Sequence, residues 1–202
     1  GRVALDLIEA WDNRLSQAGA KLMLARAAYI SKLRPLAVAA YHGISGGRET
    51  MALTYQPGMP GKVDAEQLPL LELEQALQQA LHQARERDVK SGNTSVGPHR
   101  DDLLVELSGV SARLYGSQGQ QRSAVLALKM AEASVLQQVI EQHPVAFLDD
   151  VMSELDESRQ DYILNHIQGW QVFITCCEPT AVLRLAKGHV FYIEKGHITK
   201  EI

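Results

Sequence analysis

The segment HPVAFLDDV, His143 to Val151, constrains the fold more than any other stretch of the chain. The apolar residues Val145 to Leu148 run straight into Asp149 and Asp150, without the in-out alternation of a half-solvated strand. That pattern predicts a fully buried strand of a parallel sheet. Parallel neighbours need crossover connections. The next residues supply them: SRQDYILNHIQ reads as helix, QVFITC as strand, PTAVLRLAKG as helix and HVFYIEKGHITKEI as a terminal hairpin. Such alternation predicts an α/β fold. Open α/β sheets bind ligands beyond the carboxyl ends of their strands, which is where Asp149 and Asp150 fall. Asp149 suits a hard Mg²⁺ ion, and Asp150 suits orienting or deprotonating a water. The plainer reading is a pair of acids capping the next turn.

Upstream, the pattern is mostly helical. Leu7, Trp11, Leu15, Ala18, Leu22, Ala25, Tyr29 and Leu33 recur every three or four residues, which predicts one long amphipathic helix that Pro35 kinks or ends. HGISGGRE reads as a plain turn and TMALTYQPG as a short strand. A second amphipathic helix is expected from about Asp64, a good N-cap, through LELEQALQQALHQARERD. KSGNTSVGPHRDD is loop-like, and LLVELSGVSARLY reads as a strand turning at Ser108-Gly109.

YGSQGQQRSAVLALKMAE sets two glycines, Gly116 and Gly119, and Ser117 ahead of a helical pattern whose expected apolar face is Val125, Leu128, Ala131, Val135 and Val139. A helix start presents unpaired N–H groups and a positive dipole end, so an anion such as phosphate would fit there. A polar turn that only caps the helix is the alternative.

With 202 residues, 46% of them hydrophobic and 22% charged, the chain falls in the globular class. A net charge of −4 argues against a wholly basic nucleic-acid binder but leaves local patches open. Charge is uneven: residues 1–40 are mildly basic, whereas Glu141 to Asp161 concentrates carboxylates. Cys176 and Cys177 are adjacent, unsuited to an ordinary bridge or to zinc spacing, and point to a reducing, cytoplasmic setting. No apolar run reads as a membrane span and no membrane partner is expected. The start, without Met and already in helical pattern, reads as a cut from a longer chain.

Taken together, VGPHRDDLLVEL, YGSQGQQRSAVLALKMAE and PVAFLDDVMSELDESRQ resemble the RecF family of DNA-repair ATPases, relatives of the structural-maintenance-of-chromosomes (SMC) and ABC-type ATPases. The resemblance covers nearly the whole chain as the C-terminal part of such proteins. It implies an ABC/SMC-type ATPase head with a helical lobe: residues 1–114 as that lobe with short strands, and 115–202 as the signature helix and Walker B half of the α/β core. The phosphate-loop half is missing, because no GxxxxGK[ST] occurs in these residues.

By the same resemblance, Ser117, Gln118, Gly119 and Gln120 match the ABC signature, which contacts ATP held by the opposite subunit. Asp149 matches the Walker B carboxylate associated with Mg²⁺, and Asp150 takes the place of the catalytic base, where many relatives have Glu. Ser153 with Glu154, Leu155 and Asp156 resembles the D-loop that crosses the subunit interface. The position of a switch histidine reads Thr175-Cys176, so Cys176 is a neighbour of the site or a structural thiol. His99 and Arg100 are possible nucleotide or interface contacts, unless Arg100 simply pairs with Asp101 or Asp102. The implied whole is a slow, DNA-stimulated ATPase that closes as an ATP-dependent homodimer on DNA, at duplex and single/double-strand junctions, with RecO and RecR as partners. This segment alone is expected to be inactive. Another SMC-like ATPase fragment or a non-enzymatic interaction module are the alternatives.

Overall fold

A computed structural model describes residues 2–152, 155–167, 169–177 and 188–201, with side chains from Leu7 onward. Helix α1, Arg2–Ile44, has 43 residues, about 65 Å at the ordinary helical rise. Pro35 lies inside it, so of the two expectations, a kink or an end at Pro35, the end is overturned: the helix runs on to Ile44. A proline costs one helical hydrogen bond. Burial of Leu33, Ala37, Ala40, Tyr41 and Ile44 on both sides of it offsets that loss. The helix stops nine residues later, where Gly46 takes φ 62° and the N–H groups of Gly46 and Gly47 close back on the carbonyls of Gly43 and His42. This is a Schellman closure, which needs the left-handed backbone that glycine adopts without strain.

Strand β1, Met51–Gln56, follows, and then α2, Leu70–Ser91. The expected start of α2 near Asp64 is corrected: Asp64 instead accepts the N–H of Glu66 through its carboxylate and those of Gln67 and Leu68 through its carbonyl. Its capping capacity is used in a separate turn, and Pro69 sets the helix entry. Strands β2, Asp102–Leu107, and β3, Val110–Ser111, join β1 in an antiparallel sheet of order β1-β2-β3. Ser108 and Gly109 both have positive φ, the tight hairpin turn that the sequence predicts.

After a single helical turn, α3 at Ala112–Tyr115, comes α4, Gln118–Ile140. Its buried residues are Ser123, Ala124, Leu126, Ala127, Met130, Ala131 and Val135. The expected face is therefore offset, for Val125 and Val139 are 58% and 72% exposed. The small side chains of Ala124, Ala127 and Ala131 share the core with α1 and bury first. Among the described helices only α4 is long and apolar enough to cross a membrane by length and composition, but its packing against this core is that of an interior helix.

Strand β4, Ala146–Asp149, pairs in parallel with β5, Val172–Thr175, and α5, Glu157–His166, connects them. A hairpin of β6, Phe191–Glu194, and β7, His197–Glu201, follows. The expected helix PTAVLRLAKG lies outside the described residues except for Gly188. The expected burial of β4 on both faces is corrected: Phe147 is 74% exposed and stacks on Phe173 at 5.1 Å between ring centres. Among the described residues its sheet has only two strands, so one face lacks the cover that its composition is built for.

Two cores lie along α1. One joins Ala20, Met23 and Ala27 to Leu73, Leu77 and Leu81 of α2. The other joins the last third of α1 to β1, β2, α4 and α5.

Candidate nucleotide half-site

The turn at Ser117 is a complete capping box. Ser117 N-caps α4, its Oγ accepting the N–H of Gln120 at 3.2 Å, while the Gln120 side-chain oxygen accepts the N–H of Ser117 at 2.8 Å. Ser117 and Gln118 are exposed, whereas Gly119 and Gln120 are half-buried. The Ser117 hydroxyl keeps its proton to donate, and the N–H groups of Gln118 and Gly119 have, by position, no partner within the helix.

The turn is braced from behind by residues that the sequence reading missed. Gln120 Nε2 donates to Glu49 Oε1 at 2.8 Å, and the buried Tyr41 hydroxyl donates to Glu49 Oε2. The Tyr41 hydroxyl first, then the Gln120 amide and nearby Arg159 and Arg48, hold the Glu49 carboxyl below the usual carboxylate range. Gln121 bonds back to the carbonyls of Ala112 and Gly116 at 3.0 and 3.2 Å. HGISGGRE, read as a plain turn, thus delivers a carboxylate to the Ser117 turn. Nothing in a Gly-rich stretch marks that glutamate.

At the other end of α4, Asp149 sits in register with Thr175, whose hydroxyl donates to Asp149 Oδ1. Asp150 takes φ 52°, a left-handed conformation that Asp tolerates better than most residues. Its N–H is given to the carbonyl and hydroxyl oxygens of Thr175, both at 3.1 Å. Both carboxylates face solvent. Thr175 is therefore the residue that orients the pair. Burial first, then the charges of Cys177 and Asp150, push the Cys176 thiol up, so it stays protonated at neutral pH and is no base.

The expected D-loop divides. Ser153 and Glu154 lie outside the described residues. Leu155 is buried in the core, and Asp156 is exposed and N-caps α5 by accepting the N–H of Arg159 at 3.1 Å. Arg159 also reaches the Gly119 carbonyl at 3.4 Å, which places the start of α5 beside the Ser117 turn. Gln160 fixes the preceding loop through the carbonyls of Met152 and Leu155 at 2.7 and 3.0 Å.

In GPHRDD, His99 and Arg100 are exposed, and both side chains meet the Thr94 carbonyl, at 2.8 Å and 3.4 Å. Arg100 does not carry the local pairing considered for it. Asp101 is the central group instead: its carboxylate accepts from Arg26 of α1 at 2.5 Å, from the Tyr55 hydroxyl at 2.6 Å and from the Gly58 N–H at 2.7 Å. Arg26 also donates to the Pro98 carbonyl. Gly58 sits so close that a Cβ would lie 2.2 Å from the Gly97 carbonyl oxygen. Both are main-chain groups already bridged by Gly97 N–H to Gly58 O at 2.7 Å. Gly58→Ala is expected to destabilise the fold by about 2 kcal/mol, read from the urea midpoint at unchanged slope.

A groove of about 750 Å³ lies between α4 and β4, bordered by Val125, Leu136, Pro144, Leu148 and Trp170, with Asp149 and Asp150 at its edge. No family model matches the chain. Among curated proteins it is 38% identical over 197 residues to the "DNA replication and repair protein RecF" of Clostridium acetobutylicum, covering 96% of this chain and 52% of that one. To the protein of that name from Gloeobacter violaceus it is 44% identical over 191 residues, 93% of this chain and 50% of that one. A solved structure described as "the recombination mediator protein RecF-ATP in RecFOR pathway" matches 98% of the chain with TM-score 0.81 at 33% identity.

Over nearly its whole length the chain is thus similar to one half of RecF proteins, in sequence and in fold. Its fold is a portion of the RecF head, as the order of its motifs implies. It spans about half the length of the curated RecF relatives it matches. The RecF-ATPrS structure matches as well, with TM-score 0.79 over 96% of this chain and 50% of that one.

Proposed function

We propose that the chain supplies one half of a composite ATPase site in a RecF-type protein of recombinational DNA repair. The observation that carries this reading is the match of the chain, over 98% of its length, to a RecF structure described with ATP, together with a phosphate-ready turn at Ser117. In this reading Ser117, the Gln118 and Gly119 N–H groups and the α4 dipole meet the terminal phosphate of ATP held by a second subunit. The Asp149–Asp150 pair serves the nucleotide on its own subunit.

Asp149 is the residue that would hold Mg²⁺. One exposed carboxylate, oriented by a hydroxyl, fits an ion that keeps several waters and takes phosphate oxygens for the rest. The ion, when bound, neutralises charge on the phosphates. Asp150 orients and accepts a proton from the attacking water. ATP closes a homodimer on DNA and hydrolysis releases it, so the nucleotide state sets the grip on duplexes and single/double-strand junctions. RecO and RecR are the partners and the cytoplasm is the setting. The exposed face of β4 and the groove beside it are where the phosphate-loop half packs.

The test is ATP turnover by this chain, alone and mixed with a polypeptide carrying the phosphate-loop half of a RecF protein, with duplex DNA present. Turnover in the mixture only is expected. None in a verified complex would overturn the reading and favour a non-enzymatic interaction module.

A further inference from the structure

The signature turn is not self-supporting. Its capping box is built from Gln120, and the amide of Gln120 serves two masters: the oxygen holds the Ser117 N–H, and the nitrogen is held by Glu49. Glu49 comes from the loop after α1 and is fixed on its other oxygen by Tyr41, a fully buried residue of that helix. The chain of contacts runs from the packed end of α1 through two side chains to the turn offered to phosphate. Both carboxylate oxygens are used, each by a donor, so Glu49 fixes which way the Gln120 amide faces.

We propose that Glu49, braced by Tyr41, is the positioning residue of the signature turn, acting on nucleotide only through Gln120 and Ser117. The proposal rests on the reading of Ser117 as a phosphate contact. Gln120 is then also a positioning residue, its side chain committed inward. Without an acceptor at Glu49, the amide nitrogen of Gln120 turns to solvent and its oxygen releases the Ser117 N–H. The hydroxyl and the helix-start N–H groups are then no longer held in one direction. Glutamine at this position keeps the network, since its oxygen accepts from Gln120 while its NH₂ donates to the Tyr41 hydroxyl, which accepts as well as donates.

The experiment uses the full-length protein that contains this chain, and reads ATP binding to the monomer, ATP-driven association and turnover. Glu49→Ala is expected to weaken association and turnover by about tenfold and leave monomer binding within about twofold. Glu49→Gln, which keeps an acceptor oxygen, is expected to restore most of the loss, whereas Glu49→Met, of similar bulk without one, is not; equal recovery in both overturns the positioning role. Tyr41→Phe, which keeps the buried ring, carries the test should Glu49→Ala fail to fold, with about a threefold loss expected. Ser117→Ala is run beside them. Loss in Ser117→Ala with Glu49→Ala and Tyr41→Phe unchanged overturns the positioning role alone, and so does failure of Glu49→Gln to rescue. No loss in Ser117→Ala overturns the phosphate reading beneath it.

Discussion

Asp150→Asn in a full-length protein containing this chain is expected to lower ATP turnover by at least about a hundredfold, with ATP affinity within a few-fold of the parent. The substitution isolates chemistry from folding better than most. Asp150 has φ 52°, and asparagine enters that left-handed region as readily as aspartate. The main-chain N–H that holds the residue against Thr175 is unaffected. What changes is the capacity to take a proton from water. Asp149, bonded through Oδ1 to the Thr175 hydroxyl, is left to its separate task. Cys176, protonated at neutral pH, offers no substitute base. Single-turnover hydrolysis with binding measured separately decides the matter, and unchanged turnover would remove Asp150 from the catalytic role.

Much of this was legible in the residues because it depends on local pattern. The strand ending in Asp149–Asp150, the Ser108-Gly109 hairpin, the β1 strand and the helix behind Ser117 each follow from a stretch shorter than about 25 residues. What was not legible depends on partners far apart in sequence. Glu49 is 71 residues from Gln120, and Arg26 is 75 from Asp101. No spacing rule connects such pairs. The face of α4 was misplaced for a related reason: the helix is apolar on more than one side, and which side buries is decided by the alanines that let α1 approach. The exposure of β4 shows the opposite case. Its composition is that of a strand covered on both faces, yet among the described residues it pairs only with β5 and Phe147 stays exposed, so burial follows from packing that composition alone does not report.

Asp101→Ala is expected to destabilise the fold by about 3 kcal/mol. Its side chain is 6% exposed and gathers three donors from three parts of the chain: Arg26 on α1, Tyr55 at the end of β1 and the Gly58 main chain. Alanine would leave the Tyr55 hydroxyl and the Gly58 N–H without their acceptor. Arg26, at 41% exposure, recovers part of its loss from water, which keeps the figure below that of a fully buried broken pair. Burial first, and then the bond to Asp101, hold the Tyr55 hydroxyl well above its ordinary range, so it remains a donor throughout the accessible pH range and stays dependent on this acceptor. Asp101→Asn, which keeps one acceptor oxygen but sets an NH₂ against a second donor, should fall between the parent and Asp101→Ala. Urea unfolding of the three proteins orders them. Equal midpoints for Asp101→Ala and the parent would mean that GPHRDD holds its place through Pro98 and His99, leaving the clamp on α1 without weight.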